Sequence, residues 1–126
     1  MCCAIATTIK PDIALFHAPF ADVHGNVWVG RRKELAAMAY AAQCTIVTVE
    51  RIVEQDLFAD EDGTAGLIPA LYIDAVAEAP GGARPYGLWG RYPAQTDALL
   101  RYAKLAKTAA GFAQYLDETY GCGVVA

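Results

Sequence analysis

The sequence predicts an α/β domain with a mostly parallel sheet flanked by helices, and three observations carry that expectation. A β-branched run, Thr45-Ile46-Val47-Thr48-Val49, lacks the polar alternation of a half-exposed strand. Such a run is typical of a central parallel strand covered on both faces. The segment before it changes to helical period, and a second short apolar strand precedes that helix, so strand and helix alternate as in βαβ architecture. At 126 residues, 56% of them hydrophobic, the chain is long enough for one domain with a real core. Residues 1–126 are accordingly taken as a single domain.

In chain order, Ile13 to Ala18 (IALFHA) follows Lys10-Pro11-Asp12 and is expected to form a buried strand after a turn. Asp22-Val23-His24-Gly25-Asn26 is a turn signal, because aspartate can bond to the backbone ahead of it and glycine accepts a positive φ. Asn26 to Val29 resumes as a strand, which suggests a hairpin with Ile13–Ala18. Leu35, Met38, Ala39 and Ala42 then fall on one face of a helix over 34–43. With Thr45–Val49 this gives a strand–helix–strand unit over 26–49. The acidic, glycine-containing stretch 56–66 is expected to be a surface loop. Leu71 to Ala77 (LYIDAVA) is expected to be another strand, closed by Pro80-Gly81-Gly82. Two helices end the chain, one with Leu99, Tyr102, Ala103 and Ala106 on a face and one with Phe112, Tyr115, Leu116 and Tyr120. Thr96 and Thr108 are candidate N-caps and Gly121 a candidate C-cap.

A net charge of −4 argues against nucleic acid or an anionic membrane as the main partner. No apolar segment reaches the length of a membrane span, and Lys10 and Asp12 interrupt the N-terminus before a signal-peptide core can form. A cytoplasmic location is the resulting expectation. Cys2, Cys3, Cys44 and Cys122 include no CxxC pair, so they are expected to be reduced structural thiols, with Cys44 in the core. No metal site is expected, since His17 and His24 lack an evident third ligand.

Several residues are placed where a site could form. Glu50 lies just past the end of Thr45–Val49, the edge at which open α/β sheets bind ligands. It is the best local carboxylate, set against a solvated or capping glutamate. His17 ends the preceding strand and is either a hydrogen-bonded structural group or a site residue. Asp22 and Asn26 are explained by their turn, although such loops also line sites. Arg31-Arg32-Lys33 opens a helix, where the dipole disfavours positive charge. Arg31 and Arg32 could there meet a phosphate, a carboxylate or a partner's acidic groups, or remain solvated. Gly81-Gly82 brings backbone close to a neighbour or simply forms a loop.

These stretches together resemble the A subunits of the family I CoA-transferases, of the glutaconate and 3-oxoacid types. IKPDIALFHA (9–18) resembles the family's PDVA-hydrophobic-HA strand, and Ala21-Asp22 with Gly25-Asn26 resembles its AD-x-x-GN turn. TIVTVERIV (45–53) is similar to its VTVEEIV segment. Ile68-Pro69, YIDAV (72–76) and APGGARP (79–85) are similar to its IP…VDAVVEAPGGAHP region, and YLDE (115–118) agrees as well. The resemblance runs from Ile9 to Gly121 and omits Met1 to Thr8.

The resemblance implies the C-terminal half of an A subunit, since the family's N-terminal half and its Gly-rich loop find no counterpart here. It also implies that the nucleophile is a glutamate on a separate B subunit. That glutamate attacks an acyl-CoA thioester to give an acyl-glutamyl anhydride and then a glutamyl-CoA thioester, covalent catalysis by a carboxylate. No catalytic residue is then expected in this chain, and His17, Asp22, Asn26, Arg31, Arg32 and Glu50 are candidates for lining substrate or CoA. Coenzyme A is a substrate rather than a resident cofactor. The implied partners are the CoA-transferase B subunit, together with another copy of the A subunit. Rival expectations are a non-catalytic interaction domain, or a hydrolase or isomerase on the same fold.

Overall fold

The computed structural model describes residues 9–59 and 63–121. The chain divides into two compact units, 1–82 and 83–126, each considered in its own right.

Among the described residues, the first unit holds seven strands, β1 (Ile13–Ala18), β2 (Phe20–Asp22), β3 (Val27–Trp28), β4 (Cys44–Val49), β5 (Ile52–Val53), β6 (Leu67–Ile68) and β7 (Ala75–Glu78), with one α-helix, α1 (Lys33–Ala41). β1, β4 and β7 form a parallel sheet in that order, with β4 central. The β-branched run thus occupies the position its composition favours. His17 stands opposite Thr48 in the register, and Thr48 opposite Ala77. Asp74 pins the start of this arrangement, accepting from the Thr45 amide at 2.7 Å while its own amide donates to the Thr45 carbonyl at 2.9 Å.

A second sheet, of order β5-β2-β3-β6, departs from the sequence expectation. The hairpin is real, but its first strand is β2, with Phe20 opposite Trp28 and their rings stacked at 5.0 Å. β1 instead pairs with β4 in parallel, so the strand–helix–strand unit runs from β1 to β4 with the hairpin inserted before α1. Pro19 separates β1 from β2 and lets the chain leave one sheet for the other. The described residues of 56–66 include two 3-10 turns, Leu57–Ala59 and Thr64–Gly66. The expected strand over 71–77 begins late, because Ala70–Tyr72 coils into a 3-10 turn that leaves Leu71 exposed.

The core packs Phe16, Ala18, Ala21, Val27, Val29, Ala39, Val47, Val49 and Ile68 together, with Leu35, Ala36, Ile73 and Val76 against them. On α1 the inward face is therefore Leu35, Ala36 and Ala39, and Met38 turns outward. Cys44 is half-buried and free.

The second unit contains α2 (Thr96–Leu105) and α3 (Ala109–Tyr120). Tyr102 and Tyr115 meet edge to face at 5.0 Å, and Arg101 pairs with Glu118. Phe112 and Tyr120 are exposed, leaving Tyr115 and Leu116 as the inward part of the expected stripe. Thr108 caps α3 by accepting from the Gly111 amide, and Gly121 closes it at φ 62°. The cap of α2 is a correction: Gln95 holds that position without a side-chain bond, and Thr96 is already helical. Cys2, Cys3 and Cys122 lie outside the described residues.

Candidate functional site

The C-terminal ends of the three parallel strands converge on one polar network. β1 contributes His17, β4 contributes Thr48 and, one residue past its end, Glu50, and the turn after β7 contributes Gly81 and Gly82. Parallel in-register pairing places His17 beside Thr48, and Nδ1 of the imidazole lies 2.9 Å from the Thr48 hydroxyl. Nε2 lies 2.7 Å from Oε1 of Glu50, while Oε2 of Glu50 accepts from the Gly81 amide at 2.8 Å. The His17 and Glu50 side chains keep only 12% and 15% of their surface.

An ionised Glu50 can only accept, so it requires the hydrogen on Nε2. Nδ1 then accepts from Thr48 in a neutral imidazole or donates to it in an imidazolium. Gly82 presses on the same ring, and a side chain there would put Cβ 2.7 Å from Cε1 of His17. That contact explains why the turn needs glycine. With both carboxylate oxygens bonded, Glu50 is a fixed group holding His17 and the Gly81-Gly82 turn at the sheet edge.

Asp22 and Asn26 form a different cluster, buried beneath the β2–β3 turn. Oδ1 of Asp22 accepts from the His24 and Asn26 amides, both at 2.9 Å. Oδ2 accepts from the Asn26 side chain at 2.8 Å and the Leu57 amide at 3.2 Å. Asn26 in turn accepts from the Ala70 amide at 2.9 Å. Burial pushes the Asp22 carboxyl up, but the Asn26 side-chain amide and the amides of Asn26, Leu57 and His24 together hold it below its ordinary value. Their polar atoms are spent on fastening three loop segments, with Gly25 at φ 89° completing the turn. Neither residue joins the His17–Glu50 network. Arg31 and Arg32 are exposed ahead of α1, and among the described residues neither forms a salt bridge. His24 is exposed.

Of the residues singled out in the sequence, the structure unites His17 and Glu50 and sets the others apart. Thr48 is a site member that the sequence reading does not single out. Its signal is its position two residues before Glu50, on the same strand face, which becomes visible once β1 is recognised as the neighbour of β4. No group of three or more His, Cys, Asp or Glu side chains suited to a metal occurs among the described residues. No described helix is long and apolar enough to cross a membrane.

An α/β unit with a parallel sheet and a polar network at its C-terminal edge defines a broad class of ligand-binding proteins. The comparisons narrow it. The chain is 36% identical over 85% of its length to the A subunit of glutaconate CoA-transferase from Acidaminococcus fermentans, and 34% identical over 91% to the A subunit of 3-oxoadipate CoA-transferase from Pseudomonas knackmussii. It is also 31% identical over 94% to a cholesterol ring-cleaving hydrolase IpdA subunit of Mycobacterium tuberculosis. Two solved structures are similar. One is glutaconate coenzyme A-transferase from Acidaminococcus fermentans, with TM-score 0.78 and 33% identity over 86% of this chain and 34% of that one. The other is a variant of the AibA/AibB decarboxylase, with TM-score 0.74 and 35% identity over 87% of this chain and 39% of that one. No family model matches. Across most of its length, then, the chain is homologous to the A subunits of CoA-transferases. It spans 33%, 40% and 41% of the length of these three curated relatives.

Proposed function

We propose that the chain is the C-terminal part of a CoA-transferase A subunit, which moves CoA between an acyl-CoA and a carboxylic acid with the nucleophilic glutamate on a partner B subunit. The observation that supports this division of labour is the state of Glu50. A carboxylate nucleophile needs a free oxygen facing the thioester. Glu50 has one oxygen on His17 and the other on Gly81, so it suits a positioning role. His17, Thr48 and Glu50 then form a wall beside the substrate, with the turn 81–82 as its rim. CoA acts as a substrate, and a second A subunit is the further partner.

The test is CoA exchange between an acyl-CoA and a carboxylate by the chain assembled with a complementary A-subunit segment and a B subunit. Glu50→Gln places an amide against the Nε2 hydrogen of His17 and unsettles the wall. Its expected effect is a drop in kcat/KM of roughly 10- to 100-fold with assembly intact, the scale of a misplaced substrate. Complete loss of turnover in an assembly that still binds acyl-CoA normally contradicts the positioning role.

Hydrolysis is the second reading, favoured by the similarity to the ring-cleaving hydrolase subunit. The two differ in acceptor: transfer requires a second carboxylate, whereas hydrolysis proceeds with water alone.

A further inference from the structure

The second unit carries a cleft of about 470 Å³, none of whose lining residues belongs to the His17–Glu50 network. Its walls are the segment at Arg84 and Pro85, the first two turns of α2 and the C-terminal half of α3. Every lining residue lies within 83–126, so the cleft belongs to this unit alone. Its volume falls in the range of small-molecule sites, roughly 300–1,000 Å³.

Arg84 is held in place yet left without an acidic partner. Its guanidinium lies over the Tyr92 ring, 4.9 Å from the centroid, and the Tyr92 hydroxyl accepts from the Ala83 amide at 3.2 Å. The Gln95 amide donates to the Pro85 carbonyl at 2.8 Å, which ties this segment to the start of α2. Stacking occupies the face of a guanidinium and leaves the N–H donors along its edge for another group. Among the described residues Arg84 forms no salt bridge, and neither does Asp97 on the first turn of α2. Arg101 stands one turn beyond Asp97, a spacing at which the two could pair, but it pairs with Glu118 of α3. The cleft therefore presents one unpaired cation and one unpaired anion. Tyr115, packed edge to face on Tyr102, and Tyr120, 64% exposed, add aromatic surface to its wall.

We propose that this cleft binds a free α-amino acid with an aromatic side chain. The charges select a zwitterion. A simple anion would satisfy Arg84 but bring like charge toward Asp97, and a simple cation would do the reverse. An α-carboxylate can take two parallel hydrogen bonds from the edge of Arg84, while an α-ammonium meets the Asp97 carboxylate. The tyrosines suit a ring, because aromatic pairs gain beyond their buried area. Because Arg84 already rests on Tyr92, less side-chain freedom is lost on binding. The site needs neither CoA nor a B subunit, so it stands apart from the proposed function.

The experiment is a calorimetric titration of the 126-residue chain with L-phenylalanine, with NMR to locate the binding. The expected result is one site with a Kd of about 1 mM or tighter and shifts concentrated at Ala98, Tyr115 and Tyr120. 3-Phenylpropionate lacks the ammonium, phenethylamine the carboxylate and glycine the ring; each should bind at least about tenfold more weakly. Arg84→Gln and Asp97→Asn, both at exposed positions, should keep the circular dichroism spectrum and weaken phenylalanine binding at least about tenfold each. Lys107→Gln, outside the cleft, should leave binding unchanged. A weaker Kd for phenylalanine overturns the proposal, as does binding that either Arg84→Gln or Asp97→Asn leaves intact. 3-Phenylpropionate binding as tightly as phenylalanine also overturns it, since the occupant would then be a simple carboxylate. Shifts confined to residues 13–78 would place the ligand elsewhere and have the same force.

Discussion

At the scale of residues, Asp22 and Glu50 show two uses of a carboxylate. Asp22 accepts four hydrogen bonds in a buried turn and takes no part in the His17–Glu50 network. Asp22→Asn keeps the shape but turns a donor toward donors, at a cost of about 1–3 kcal/mol. The native carboxyl titrates below its ordinary value, so its stabilisation is complete above the unfolded value of about 3.9. It is lost as pH falls through the lower native value. Thermal melts of wild type and Asp22→Asn should therefore differ near neutrality and converge in strong acid; a gap independent of pH contradicts this assignment. The place of Glu50 at a strand end is legible in the sequence, but its bond to His17 is not. That bond depends on which strand neighbours β4, and the pair is 33 positions apart in the chain.

At the scale of elements, long periodic segments are legible and short ones are not. The central β-branched strand, the helix after the turn and the two final helices are all evident from pattern. β5 and β6 have two residues each, too few for an alternation, and tertiary pairing alone defines them. Pattern assigns the hairpin to β1 because β2, three residues long and directly after Pro19, carries no strand signal of its own. Capping gives a separate test. Thr108 satisfies the Gly111 amide at 3.1 Å. Thr108→Ala should cost about 1 kcal/mol and speed exchange of the Gly111 amide, while Thr96→Ala, at a position that caps nothing, should change α2 little. Equal losses at the two threonines contradict the caps.

At the scale of the whole molecule, the class of fold is legible because alternation of strand and helix is a long-range pattern that survives local errors. The four-stranded second sheet is not, since it is assembled from pieces lying on either side of α1 and β4. On the proposed division of labour, this chain shapes a shared site whose nucleophile lies on a B subunit. Intact-protein mass spectrometry after incubation with a panel of short acyl-CoAs tests it most directly. The proposed division of labour predicts no covalent adduct on this chain, alone or assembled, and a CoA-sized adduct on the B subunit of the assembly. A CoA-sized adduct on this chain that disappears in Glu50→Gln would contradict it.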